Sequence, residues 1–290
     1  MVCTCVEAML EFVLEEKFTA RCKDRRSKRL DVVGTRRGGC GSCVALVSKY
    51  DPNLKNVEDF SVSLCPTLLC SLNGCSVTTS EGLGNTRDGF LSIHERFASF
   101  HASQCGFCTP GMCMSFFSAL VNADKGNKSD PQPGFSKLTS SEAEKAIAGN
   151  LCRCTGYRSI ADACKYFAAD IDIEDLGFNS FWKKGDSNEV KVSKFPPYDP
   201  TMNFTTYPEF LKSKSATNLE FSRYPWYSPV SIEELRSFLN SNVTENSARF
   251  KLIVGNTGTG YYKETQRYDH YVNLRYIPKL SIIEKRSNWH

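Results

Sequence analysis

Apolar and polar positions switch between helical and strand-like periods along the chain, and the breaks divide it into four stretches. In the first, Ala8 to Leu14 places apolar residues at helical spacing and predicts a short amphipathic helix. Val44-Ala45-Leu46-Val47 then reads as a strand. From residue 85 the period is helical. Helices are predicted from Ile93 to Phe100, Gly111 to Asn122, Glu142 to Ala148 and Arg158 to Ala168. Thr139 and Glu142 stand at capping-box spacing ahead of the third helix, and Gly149 is placed to end it. Asp124 to Phe135, rich in Asp, Asn, Lys and Pro, reads as a surface loop.

Residues 173–220 mix Asp, Gly, Ser, Lys and Pro with isolated aromatics, and read as an extended connector or as interdomain packing. The pattern recovers with a strand-like Trp226 to Val230. Ser231 and Glu234 form a second capping box, opening a helix through Leu239. Phe250 to Val254 reads as a buried-type strand running into Gly255-Asn256-Thr257-Gly258-Thr259-Gly260. Tyr268 to Leu274 reads as one more strand.

Composition narrows the function classes. With 290 residues, two or three domains are expected. A net charge of +4 is too small to imply a nucleic-acid partner. Basic residues do cluster over 20–37, but no aromatics interleave with them, so a solvated loop is favoured over a targeting patch. No apolar run approaches the roughly 20 residues that cross a bilayer, so no membrane association is expected. The first residues lack the basic and apolar regions of a secretory signal. Fourteen cysteines without such a signal point to metal ligation in a reducing, cytoplasmic compartment.

The cysteines carry the strongest chemistry. Cys105 and Cys108 form a Cys-x2-Cys pair, and Cys152 and Cys154 a Cys-x-Cys pair, each at the end of a predicted helix. Backbone N–H groups and the positive helix end favour thiolates there. Four thiolates suit zinc or an iron–sulfur cluster, and the spacing leaves both open. Cys40, Cys43 and Cys65 fill the last three positions of the plant-type ferredoxin spacing, whose first position falls on Thr35, a poor ligand. Cys3, Cys5 and Cys22 are out of register, while Cys70 and Cys75 read as core thiols. The strand followed by the Gly255–Gly260 loop suits close backbone approach to a pyrophosphate, but on its own it is a weak signal and an ordinary glycine turn is the favoured explanation. His94 and His101 read as solvated or satisfied histidines.

Taken together, GGCGSC with Cys65, QCGFCTPGM, AGNLCRCTGYR and LIVGNTGTG followed by VNLRYIPKLS resemble the N-terminal part of the molybdenum hydroxylases, the xanthine dehydrogenase and aldehyde oxidase family. SEGLGNTRDGF, ERFASFHASQCGFCTPGM and IEDLGFNSFW are most similar to plant aldehyde oxidases. The resemblance implies an α+β chain. It would comprise an incomplete ferredoxin-like β-grasp domain (1–84), a four-helix 2Fe–2S-binding domain (85–172), a linker (173–220) and the first part of an α/β FAD-binding domain (221–290).

The implied function is electron transfer within an oxidoreductase, from a molybdenum centre through two 2Fe–2S clusters to FAD. Cys105, Cys108, Cys152 and Cys154 would hold one cluster, and Cys40, Cys43 and Cys65 the other, with its fourth ligand absent at Thr35. Gln104 and Cys154 would meet the molybdopterin. Leu252, Ile253, Val254, Gly255, Asn256, Thr257, Gly258 and Thr259 would lie along FAD. The implied partners are the missing molybdenum domain or a full-length homologue, within a homodimer.

The departures from the family generate further expectations. Residues 1–5 leave no room for the hairpin that precedes the family's first helix, so the first sheet is expected to lack strands and expose an edge. The family's molybdenum ligands and catalytic carboxylate have no counterpart here. The chain alone is therefore not expected to oxidise an aldehyde, and no catalytic residue is assigned. Half a flavin domain buries too little surface to offset its ordering entropy, so FAD is expected to bind weakly. Two other functions remain in view. One is a non-catalytic truncated homologue that carries a cluster or binds a partner, and the other is a four-cysteine zinc module on Cys105, Cys108, Cys152 and Cys154.

Overall fold

The computed structural model describes residues 2–5, 10–14, 38–51, 54–85, 89–171, 197–203, 207–212, 225–243, 248–256 and 268–283. Its largest sheet has five strands. Their order is β1 (Val2–Cys5), β2 (Leu10–Leu14), β5 (Cys75–Thr78), β3 (Val44–Asp51) and β4 (Asn56–Ser63). β3 pairs antiparallel with both β4 and β5, and β2 runs parallel to β5.

Two expectations about the N-terminus are corrected here. Leu10–Leu14 is a strand rather than part of a helix, and it forms an antiparallel hairpin with Val2–Cys5 that was expected to have no room. Leu10-Glu11-Phe12-Val13-Leu14 also satisfies a period of two, and a helix of so few residues is marginal alone, so the free edge of β5 decides. The first sheet is thus fuller than expected. Residues 15–37, which include Cys22, the basic run and Thr35, lie outside the described residues.

β3 organises the packing because both of its faces are covered. Successive side chains of a strand point to opposite faces. Leu46, with Val44 beside it, joins an apolar core shared with the helices. Ala45 and Val47 join a second core with Trp226 and Ile253 from the C-terminal stretch. The polar residues keep the same alternation. The Ser48 hydroxyl donates to Asp59 at 2.5 Å, and Lys125 at the far end of the second helix pairs with that carboxylate. The Lys49 ammonium stands 3.5 Å from the ring centroid of Tyr276.

A two-stranded ribbon, β6 (Gly84–Asn85) with β7 (Gly89–Phe90), leads into the helices. These are α1 (Ser92–Ser99), α2 (Thr109–Lys125), α3 (Ser140–Lys145) and α4 (Arg158–Lys165). All four predicted helices exist. α2 starts earlier than expected because Pro110 fits the first turn, where its missing N–H has no partner to lose. It buries Met112, Phe116, Phe117 and Leu120, and Phe116 meets Phe167 edge-on with centroids 5.0 Å apart. α3 has the expected capping box: Glu142 N–H donates to the Thr139 hydroxyl, and Thr139 N–H donates to the Glu142 carboxylate at 2.9 Å. His94 is half-buried against Phe90, and His101 is exposed.

Two described parts of the expected connector pack back onto the molecule. Tyr198 donates its hydroxyl to Asp124 at 2.6 Å, and Tyr207 donates to the Gly74 carbonyl at 2.8 Å. Beyond it, β10 (His270–Asn273) lies between β8 (Trp226–Tyr227) and β9 (Phe250–Ile253), all parallel, with α5 (Ile232–Val243) alongside. Ser231 caps α5 by accepting from Glu234 N–H at 3.0 Å. The stretch Phe250–Val254 is half-buried rather than buried throughout: Ile253 is 2% exposed, but Leu252 is 54% and Val254, just past β9, 60% exposed. Only its inner face meets the second core. No described helix is long and apolar enough to cross a membrane.

Candidate metal centres

The first centre forms where two loops meet. Cys105 lies in the loop between α1 and α2, and Cys108 is the residue that precedes the first turn of α2. Cys152 and Cys154 occupy the loop ahead of α4. Gly106 and Gly156 take positive φ, as does Tyr157, so the chain reverses tightly next to each pair. Tyr157 steadies its own loop by accepting a hydrogen bond from Cys152 N–H at 2.9 Å. Thr155 Oγ1 lies 3.0 Å from Cys152 Sγ.

The sulfurs meet two by two across the loops, Cys105 with Cys154 and Cys108 with Cys152. In each pair one thiol is drawn toward the thiolate and its partner holds the proton. The Phe107 N–H, then the Cys154 thiol, lower Cys105, while the contact with Cys105 raises Cys154. Burial followed by the contact with Cys152 pushes Cys108 up to about 12. Burial alone would raise Cys152, but its contacts with Thr155 and Cys108 outweigh that and lower it. Cys108 is buried, whereas Cys105 and Cys154 are exposed, so the site has a dry inner side and a solvent-facing rim. Gln104 is also exposed on that rim.

Cys40, Cys43 and Cys65 come together at the second centre. Cys65 Sγ contacts Cys43 and accepts a hydrogen bond from Gly38 N–H at 3.0 Å. Burial first, then that contact, pushes Cys65 up to about 11, against the Gly38 N–H. The Leu64 N–H donates to the Cys43 carbonyl at 3.1 Å, which ties the Cys65 turn to the other two cysteines.

The two centres are neighbours, joined through residues to which the sequence assigned no role. Asn150 donates its side-chain N–H to the Gly41 carbonyl at 2.9 Å, and Leu151 N–H donates to the Cys40 carbonyl at 2.9 Å. From the other side α2 presses Gly111 against Gly41, where a Cβ would stand 2.0 Å from the carbonyl oxygen. The glycines within the two motifs were the available signal, but their mutual contact is tertiary.

The third group is the loop after β9. The side-chain N–H of Asn256 donates to the Pro66 carbonyl at 2.7 Å, directly beyond Cys65. Thr257, Gly258 and Thr259 lie outside the described residues.

A family model described as a 2Fe–2S binding domain matches residues 79–165. Another, described as an FAD binding domain in molybdopterin dehydrogenase, matches residues 219–289. Aldehyde oxidase 4 of Arabidopsis thaliana is 57% identical over 252 residues, which is 86% of this chain and 18% of that protein. This chain matches the iron–sulfur and flavin part of the aldehyde-oxidase-like molybdenum hydroxylases. Abscisic-aldehyde oxidase of the same plant is 54% identical over 255 residues, 87% of this chain and again 18% of the relative. The chain therefore spans about a fifth of the length of these curated relatives. Among solved structures, quinoline 2-oxidoreductase from Pseudomonas putida 86 matches with 33% identity and a TM-score of 0.36. It covers 46% of this chain and 68% of that one.

Proposed function

We propose that this chain carries electrons between a molybdenum-bearing partner and a flavin. The partner is the molybdenum portion of an aldehyde oxidase or a full-length homologue, in a homodimeric, cytoplasmic assembly. We read 1–84 as the ferredoxin-like domain, 85–172 as the helical one, 173–220 as the linker and 221–290 as part of the flavin domain. The two matched spans, 79–165 and 219–289, fall mostly within the second and the last of these segments.

The observation that carries this reading is the two-by-two meeting of Cys105 with Cys154 and Cys108 with Cys152 inside the span matched as a 2Fe–2S binding domain. Four thiols meeting in two pairs suit either a binuclear cluster or one zinc ion, and the match of this span to a 2Fe–2S binding domain favours the cluster. The 2Fe–2S clusters and FAD would supply one- and two-electron carrier chemistry. The chain's own residues would hold these groups in order. Cys105, Cys108, Cys152 and Cys154 ligate at the helical site, with Cys108 on its dry side. Gln104 and Cys154 face the molybdopterin from the exposed rim. Cys40, Cys43 and Cys65 ligate at the second site, and the Gly38 N–H aimed at Cys65 Sγ stabilises its thiolate. Leu252 to Thr259 would lie along FAD.

The test is anaerobic reconstitution with ferrous iron and sulfide. We expect about two irons per chain if only the helical site assembles, about four if the second does too, and a visible spectrum of the 2Fe–2S type. A colourless chain that takes up one zinc at Cys105, Cys108, Cys152 and Cys154 but no iron would replace this reading with the zinc module. Aldehyde oxidation by this chain alone is not expected.

A further inference from the structure

Asn256 lies in the stretch expected to run along the flavin, and its side chain makes a contact of its own. It donates from Nδ2 to the Pro66 carbonyl oxygen at 2.7 Å. Pro66 is buried and follows Cys65 directly. The same turn is held from three other directions. Gly38 N–H donates to Cys65 Sγ at 3.0 Å, Leu64 N–H to the Cys43 carbonyl at 3.1 Å, and Thr67 N–H to the Leu64 carbonyl at 3.1 Å. Beneath the turn, Leu64 and Leu68 pack on the apolar core that also buries Ile253, three residues ahead of Asn256. The loop after β9 and the Cys65 turn are therefore joined by a hydrophobic anchor and a hydrogen bond at its edge.

The position makes two demands at once. Its φ is +55°, a left-handed backbone that Asn and Gly tolerate and most residues do not. It also needs a donor short enough to reach a carbonyl. Gly meets the first demand only. Asp meets the first, but would set a carboxylate against the Pro66 oxygen. Asn meets both.

We infer that Asn256 is a positioning residue that clips the flavin loop to the Cys65 end of the second cysteine site. The inference rests on the reading of that loop as a flavin contact. From Cys65 Sγ the way to the loop runs through the Cys65 and Pro66 backbone and one non-covalent step, the hydrogen bond to Asn256. The clip fixes how close Cys65 stands to the flavin loop, and it makes a ligand on one side felt on the other.

The experiment is hydrogen–deuterium exchange on the full metal-free chain, read over residues 61–68, 250–256 and α2. Asn256→Asp and Asn256→Gly both keep the backbone conformation accessible and remove the donor. In both, exchange over 61–68 is expected to rise roughly fivefold to tenfold, the net worth of one neutral hydrogen bond, with α2 unchanged. FAD at millimolar concentration is then added. In the native chain it should protect 250–256 and, through the clip, 61–68. In Asn256→Asp protection should stop at 250–256, which a merely stabilising role for Asn256 would not produce. Unchanged exchange over 61–68 in both variants overturns the inference. So does an acceleration that reaches α2 equally, because Asn256 would then stabilise the whole molecule rather than this junction. Failure of FAD to protect 250–256 in the native chain overturns the flavin reading of the loop instead, and the two failures are thereby distinct.

Discussion

Gly111 shows how little room separates the two cysteine sites. A methyl group there would stand 2.0 Å from the Gly41 oxygen and 2.7 Å from the Ser42 Cα. Both are backbone atoms and cannot swing aside, so Gly111→Ala has to push the Cys40–Cys43 loop off the start of α2. We expect it to cost about 1–3 kcal/mol, the usual penalty for overpacking, and to weaken iron uptake at both sites. Gly149→Ala is the control. Nothing lies within 4 Å of a Cβ at Gly149, and a thermal melt should place that variant at or above the native chain. Equal melting of the Gly111 and Gly149 variants would show that the loop contact contributes nothing. The sequence marked the cysteines themselves well, since closely spaced pairs wrapped in Gly, Pro and Thr have few other uses. It could not mark Gly111 or Asn150, whose importance lies in what they touch across the fold.

At the scale of elements, strength of pattern decided what could be read. α2 was legible because its apolar positions run nearly all round, as a helix at the centre of a bundle requires. Leu10–Leu14 was not, because five residues satisfy both periods and the pairing with β5 is settled elsewhere in the chain. β9 was half right: the run Phe250 to Val254 is apolar throughout, but only one face finds a core.

The capping box of α3 was read correctly and yields a prediction about pH. Lys128 first, then the Thr139 N–H, hold the Glu142 carboxyl down from 4.5 to about 2. Because the folded value is depressed, the stabilisation is fully present above about 4.5 and is lost as pH falls through that window toward 2. Glu142→Gln should flatten that part of the acid limb and leave stability near neutral pH slightly lower. The pair is exposed, so the effect is small and best seen as local exchange in α3 at several pH values. The same acid sensitivity in the variant as in the native chain would assign it to other carboxylates.

At the scale of the whole molecule, β3 is the partition on which the parts hang. Leu46 and Ser48 face the helices, and Ala45, Val47 and Lys49 face the C-terminal stretch with Trp226, Ile253 and Tyr276. Single truncations on opposite faces should therefore loosen opposite halves. Leu46→Ala removes side-chain volume from the helical core and is expected to cost about 2–5 kcal/mol, with faster exchange in α2. Val47→Ala removes less, about 2 kcal/mol, and should free the packing around Trp226 instead. Trp226 is buried in that second core, so with Trp182 and Trp289 replaced by Phe its emission reports one face alone. Val47→Ala should move that emission to the red while Leu46→Ala leaves it in place under native conditions. Were both truncations to shift Trp226 equally, the two cores would be melting as one unit. β3 would then transmit disturbance between the halves rather than separate them, and the spacing between the cysteine sites and the flavin loop would depend on the helices as much as on the Asn256 contact.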